Sequence, residues 1–466
     1  MADYGDGLVL RDLAMIEAPA RPWVPAAEGR LDVVVVGAGL SGLAIAFGVR
    51  RQGIERLLVL DAAPRGREGP WRSYARMDIL RSPKTLTGPD LGVPSLTFRA
   101  WYEARHGSAA WEALHKIGRE DWADYLLWYR AVLDLPVRND TALLGFAPDA
   151  DGLALEIEGP DGRQVLRTRK LVLATGITGN GVPHVPPVIA ALPPGHWHHS
   201  AAPPPAEALR GRRIGVIGAS ASAFDCAVMA LRAGAAQVEL LARRATLPHV
   251  EVLAWANFPG FMTGLAELDD ARRWRFMRRL MELQGPPTAE AFAEATGDAR
   301  FRLVLGARLA AAHIEAGEVV LATEAGATHR CDVLLLGTGF AVDLTARPEL
   351  APHAKAIATW ADRYTPPAEE AMPALGRYPY LGPGFEFLER SPGAAPHLRH
   401  VHNFNTGAIA SLGPVCNGIT GLKYGVPRLV AGLTRALFLD DADRHLADLM
   451  AYDAGTRLTP PTGNAA

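Results

Sequence analysis

Apolar residues run without interruption from Val33 to Val36, stop at Gly37, and resume after a short stretch of small residues with helical spacing through Arg51. That pattern predicts a buried strand, a tight turn and a helix. A second strand follows at "RLLVLDA" and a helix at the aromatic-rich "WADYLLWYRAVL". A strand pair is predicted at "GLALEIEG" and "RQVLRTRKLVLATG". The strand, turn and helix pattern then recurs at residues 212–234, "RRIGVIGASASAFDCAVMALRAG", followed by a strand at "QVELLARR". A long loop and helix are predicted from Pro248 to Gln284, then another helical piece and the strands "GEVVLATEAG" and "CDVLLLGTGF". From Leu344 to Pro396, Pro and Gly are dense enough to predict irregular surface or a lid. The chain closes with a glycine turn entering an amphipathic helix, "NGITGLKYGVPRLVAGLTRALFLDD".

This alternation predicts an α/β protein with two dinucleotide-binding, Rossmann-like units, the second inserted into the first. The expected divisions are residues 1–205 for the first part of one unit, 206–340 for the inserted unit and 341–466 for the remainder of the first. The Pro-rich joint "AAPPPAEALRG" suggests the first boundary.

The glycines carry the chemistry. Gly37, Gly39 and Gly42, with Ala38 and Ser41 between them, match the GxGxxG turn that brings backbone N–H groups and a helix N-terminus to a pyrophosphate. Asp61 ends the next strand, where an acid is expected to accept from ribose hydroxyls. In the second unit Gly218 is kept, Ser220 stands at the middle glycine position and Ala223 at the third, with Ser222 beside it. Its next strand ends in Arg243 and Arg244, which suit a 2′-phosphate. FAD is therefore expected in the first unit and NADPH, with NADH as the alternative, in the second.

Composition narrows the partners. With 49% hydrophobic residues, 21% charged residues and a net charge of −2, the chain offers no general attraction for nucleic acid or an anionic membrane. No basic start followed by an apolar core opens the sequence, and no run is long enough to span a bilayer, so a cytoplasmic location is expected. Cys226, Cys331 and Cys416 lie far apart without CxxC spacing, which argues against a disulfide framework, a zinc site or a redox pair. Neither GxSxG nor HExxH occurs. No metal is expected, and the oligomeric state stays open.

Gly37, Gly39, Gly42 and Asp61, Trp71 in "GREGPW", "LATG" at 173–176, "GHWHHS" before the second turn and "LLGTGF" at 335–340 together resemble the class B flavoprotein monooxygenases. That family includes flavin-containing, Baeyer–Villiger and N-hydroxylating enzymes. The resemblance implies hydride transfer from NADPH to FAD and oxygenation of a small polar substrate through a C4a-peroxyflavin. It also implies that Trp71 and Arg72 lie near the flavin, that Ser82 and Lys84 in "ILRSPKTL" lie beneath its ring as catalytic candidates, and that Leu143 holds the adenine by its backbone. Thr175, Gly176 and Gly339 would sit at the connections between units, and Asn417 near the cofactor. His199 matches the end of the family's FxGxxxH sequence, yet Pro193 replaces its phenylalanine, which disfavours a standard flavin-containing or Baeyer–Villiger member. Asn257, Asn403 and Asn405 are substrate candidates, with turn or cap roles as the alternative. The arrangement is similar to a bacterial subgroup containing FAD-dependent urate hydroxylases, so a nitrogen-rich heterocycle is the leading expectation. An amine or thioether oxygenase, an NAD(P)H:quinone oxidoreductase and an FAD-binding sensor remain alternatives.

Overall fold

In a computed structural model of the chain, described for residues 5–416, 418–453 and 455, the first unit is built on a seven-stranded sheet. Its strands in chain order are β1 (Arg30–Val36), β2 (Leu57–Leu60), β3 (Val137–Arg138), β4 (Ala142–Asp149), β5 (Gly152–Gly159) and β6 (Gly162–Leu173). Val33, Val34 and Val35 are fully buried, as a parallel strand covered on both faces requires. The spatial order is β3-β2-β1-β6-β5-β4, and β6 serves two neighbourhoods. Residues 162–168 of β6 pair antiparallel with β5, while 167–173 pair parallel with β1.

The chain then leaves through β7 (Gly181–Pro183) and builds a second, five-stranded sheet from β8 (Trp197–His199), β9 (Arg213–Ile217), β10 (Gln237–Ala242) and β11 (Phe301–Leu305). A three-stranded antiparallel meander follows, β12 (Leu309–Glu315), β13 (Glu318–Thr323) and β14 (Thr328–Cys331), before β15 (Val333–Leu336) completes the order β11-β10-β9-β15-β8. Because β8 belongs to this sheet, the second unit's strands begin ahead of residue 205. The return path, β16 (Phe340–Val342), pairs antiparallel with β7, so the two crossings form one ribbon. Much later β17 (Val401–Asn403) adds parallel to residues 171–173 of β6. The first sheet is thus completed after the insertion.

The segment expected as irregular surface or a lid between Leu344 and Pro396 is irregular, and its exposed stretches alternate with residues of the core. Leu350, Ile357, Phe385 and Phe387 are 0–1% exposed and belong to the first unit's core. His353 stacks on Phe146 of β4 at 4.1 Å, and Asn403 of β17 donates its N–H to the Phe385 carbonyl at 2.8 Å. Pro and Gly interrupt regular elements there, but the large apolar residues between them still have to leave water.

Candidate active site

At the end of β1 the chain turns with Gly37 at φ 104° and enters the Leu40–Arg51 helix through Gly39. A Cβ on Gly37 would lie 2.5 Å from the Ala174 carbonyl oxygen, and one on Gly42 would overlap the Gly37 carbonyl oxygen. No side chain caps that helix start, so its first N–H groups are available to an anion. Gly69 approaches Gly39 backbone to backbone, and beside it the buried Trp71 Nε1 has no partner. A bare cradle next to an orphaned donor fits the pyrophosphate half of FAD.

Asp61 does more than wait for a ribose. Its Oδ2 accepts from the Ala38 N–H at 2.7 Å and its Oδ1 from the Ala63 N–H at 2.8 Å. Burial raises its carboxyl above the ordinary value, opposed by those two N–H bonds. The same turn is backed by a set that sequence reading missed. Glu68 accepts from Arg130 at 3.0 Å and from Asn139 Nδ2 at 2.7 Å, and Asn139 also donates to the Ala63 carbonyl. Only the separation of these residues, about half a domain apart in sequence, hid them. Leu143 is the second residue of β4, at a register shift, and Thr141 just before the strand donates its N–H to the Asp61 backbone carbonyl.

Two residues of the flavin-side loop have protein partners. Lys84 donates to the Trp111 carbonyl at 2.6 Å and the Glu112 carbonyl at 3.2 Å, at the end of the Ser108–Ala113 helix, where a cation satisfies free carbonyls. Arg72 is paired with Glu120 at 2.8 Å and Asp124 at 2.7 Å on the Arg119–Val132 helix. Ser82 is half-buried without a hydrogen bond among the described residues.

In the second unit β9 ends at Gly218 and the Ala221–Arg232 helix starts at Ser220, again with no side-chain cap. A Cβ on Gly218 would stand 2.6 Å from the Gly337 carbonyl oxygen, and one on Gly337 would stand 2.5 Å from the Ala223 nitrogen. Ser222 follows in the helix's first turn. Arg243 is exposed and has no partner among the described residues, whereas Arg244 donates to the Glu282 carbonyl at 3.0 Å. The pair therefore divides into one free guanidinium suited to a 2′-phosphate and one that anchors the Asp270–Leu283 helix. His199 Nδ1 accepts from the Ala201 N–H, so Nε2 carries the proton and donates to the Gly339 carbonyl at 2.9 Å. Burial holds this imidazole below its ordinary pKa, in its neutral form.

Where the two units join, two loops interlock. Asn405 donates to Thr175 Oγ1 at 3.1 Å and to Asn403 Oδ1 at 2.8 Å, and Asn403 and Asn405 are completely buried. The Asn405 amide braces the end of β6 through Thr175 and Asn403, while Asn403 Nδ2 is buried without a partner among the described residues. A Cβ on Gly179 would meet Asn405 Nδ2 at 2.5 Å, and one on Gly407 would overlap Asn180 Oδ1. Each loop thus fills the space that a glycine leaves open on the other. Asn180, 1% exposed with neither side-chain atom bonded, was not among the sequence candidates; its backbone carbonyl accepts from Asp343 on the return path. Gly176, at φ 69°, takes the Thr406 hydroxyl on its carbonyl. Asn257 ends a short helix in the open. Asn417 lies outside the described residues.

Three comparisons bear on this geometry. A family model described as pyridine nucleotide-disulphide oxidoreductase matches residues 34–255. An FAD-dependent urate hydroxylase from Xanthomonas campestris pv. campestris is 43% identical over 452 residues, 95% of this chain and 94% of that protein. The chain belongs to the FAD-dependent urate hydroxylase family. Among solved structures, an ornithine N-hydroxylase from Kutzneria sp. 744 matches with TM-score 0.66 at 16% identity, over 87% of this chain and 99% of that one. An L-lysine 6-monooxygenase from Pseudomonas syringae matches with TM-score 0.65 at 19% identity over the same shares. These likenesses establish the shared two-unit fold of the family. The chain's three cysteines are free and buried, with thiols that burial pushes up to about 12.

Proposed function

We propose that the protein is an FAD-dependent, NADPH-consuming monooxygenase that hydroxylates urate or a closely similar nitrogen heterocycle. The observation that carries this reading is the 43% identity to a urate hydroxylase, which extends through both cradles and the segments between them. In this reading Gly37, Ala38, Gly39, Ser41 and Gly42 present backbone to the FAD pyrophosphate, Trp71 Nε1 supplies a donor beside it, and Asp61 sets the shape of the turn. Gly218, Ser220 and Ala223 receive the NADPH pyrophosphate, and Arg243 receives its 2′-phosphate. Bound in these cradles, FAD supplies the oxygen-activating chemistry and NADPH the hydride. The chain contributes orientation, through the interlocked loops at the end of β6, and a neutral His199 that holds β8 to the Gly339 turn. Overall, one oxygen atom enters the substrate, the other leaves as water, and NADPH is oxidised once. No described helix is long and apolar enough to cross a membrane. We place the enzyme in the cytoplasm, where three unpaired cysteines are expected.

The test follows NADPH, oxygen, urate and hydrogen peroxide together. Urate should be consumed in step with oxygen and NADPH, with little peroxide released. If urate changes none of these rates while a quinone is reduced rapidly, the reading gives way to an NAD(P)H:quinone oxidoreductase.

A further inference from the structure

In the first unit the C-terminal half of the Leu40–Arg51 helix packs against the Leu422–Asp440 helix. Gly48 allows the approach, since a Cβ there would stand 3.0 Å from Val430 Cγ2. Beside this contact a cavity of about 650 Å³ opens between the two helices and Trp23. None of the cofactor residues discussed above lines it.

Its walls have two kinds of chemistry. Trp23, Val430 and Phe438 supply apolar surface, and Phe438 is still 48% exposed. Arg51 and Arg435 supply two positive charges, and no acidic residue lines the cavity. Arg51 gives one N–H to the Leu91 carbonyl at 3.1 Å, while Arg435 has no hydrogen bond or ion pair among the described residues. Two further polar atoms are buried without partners here. They are Thr434 Oγ1, in the lining, and Nε2 of His445, whose ring stacks on Phe438 at 5.0 Å and lies 5.9 Å from Trp23. A concave site of this volume, mostly apolar with a few convergent polar groups, is the usual form of a small-molecule pocket. Two guanidinium groups in the lining with no acid among it select for an anion.

We propose that this cavity is a second binding site, for a small amphipathic carboxylate. The apolar body lies between Trp23, Val430 and Phe438, and the carboxylate meets Arg435 and Arg51, with Thr434 Oγ1 within the same wall. The site is distinct from the cofactor cradles, because its lining comes entirely from the FAD-side unit and includes none of the cradle residues.

Calorimetric titration of the full chain loaded with FAD, using sodium decanoate below its micelle concentration, tests the assignment. One decanoate should bind per chain, saturably, and a saturating amount of NADPH should not displace it. Arg435→Glu should weaken binding about tenfold or more, the loss of one charge-assisted contact. Ala431→Trp, which fills the cavity from an exposed helix position, should abolish binding, and both variants should melt as the wild type does without ligand. Absence of saturable binding would overturn the proposal. So would equal affinity for the decyltrimethylammonium cation, retention of full affinity by Arg435→Glu, or displacement by NADPH. A concentration-dependent dimer broken by Arg435→Glu, with decanoate unable to compete, would assign the face to a second copy of the chain instead.

Discussion

In the first unit the helix approaches its strand through a glycine of its own, Gly42, whose missing Cβ leaves room for the Gly37 carbonyl. In the second the helix carries Ala223, and the room comes from Gly218 on the turn and Gly337 after β15. The third glycine of such a motif is therefore a statement about distance, which either partner can satisfy. Anion access divides the same way. Both helix starts are free of side-chain caps, but the first unit's acid, Asp61, closes onto its own turn, while the second unit's Arg243 stays open to solvent.

The strongest way to break the comparison is to move the methyl group. Gly42→Ala should cost about 3 kcal/mol or more through overlap with the Gly37 carbonyl, giving protein that comes off purification colourless or not at all. Gly337→Ala should do comparable damage only in the second unit, leaving bound FAD but abolishing reduction by NADPH in stopped-flow absorbance. Ala223→Gly, by contrast, should cost only about 1 kcal/mol from helix propensity. Equal outcomes for Gly42→Ala and Ala223→Gly would mean the two helices are not held by the same constraint.

Next in size is the arginine pair. Arg243→Ala should raise the KM for NADPH about ten- to a hundred-fold and leave NADH nearly unchanged. Arg244→Ala should affect both coenzymes alike, because its guanidinium holds the Glu282 carbonyl and not a phosphate. Steady-state kinetics with the two coenzymes separates these roles.

Acid should then distinguish the units. Complete burial holds His402 on β17 down to about 3, and burial, with Lys170 and Arg399 nearby, holds His400 to about 4. Both histidines stay neutral in the fold and take protons on unfolding, so their contribution is complete above pH 6.5 and is lost as pH falls from there toward 3. The slope approaches about 1.4 kcal/mol per pH unit for each. Urea unfolding from pH 7 to 4 should show it, and His402→Asn should flatten it. An unchanged slope in that variant would move the acid sensitivity elsewhere. The smallest effect belongs to Ser220→Gly. Ser220 has extended backbone and no cap bond, so the KM for NADPH should change less than about threefold.

Both glycine turns, the strand ends at Thr175 and Gly339, and the order of elements could be read from the chain because each is written in consecutive residues. The parallel pairing of β17 with β6 could not, since its partners stand 230 positions apart and leave no local periodicity. The resemblance of "ILRSPKTL" and the neighbourhood of Trp71 point Lys84 and Arg72 toward the flavin, but nothing local in the sequence announces their partners, the Trp111 carbonyl and the acids of the Arg119–Val132 helix. Asn180 lies in the Gly-rich stretch "ITGNG", where nothing local marks it as buried. Only the folded chain shows that its amide is buried against Gly407.

The reciprocal fit of Asn180 with Gly407 and Asn405 with Gly179 sets how this protein can be recombined. An inserted unit joined by a two-stranded ribbon looks like a cassette that could be exchanged between relatives. Yet a cut placed at the start of the ribbon, between Gly179 and Gly181, would separate Gly179 from Asn180 and leave one half of the interlock to each parent. Chimeras that take residues 175–180 and 403–407 from the same parent should retain the join. Those that mix them would have to change in pairs, a larger residue at Gly179 arriving with a smaller one at Asn405.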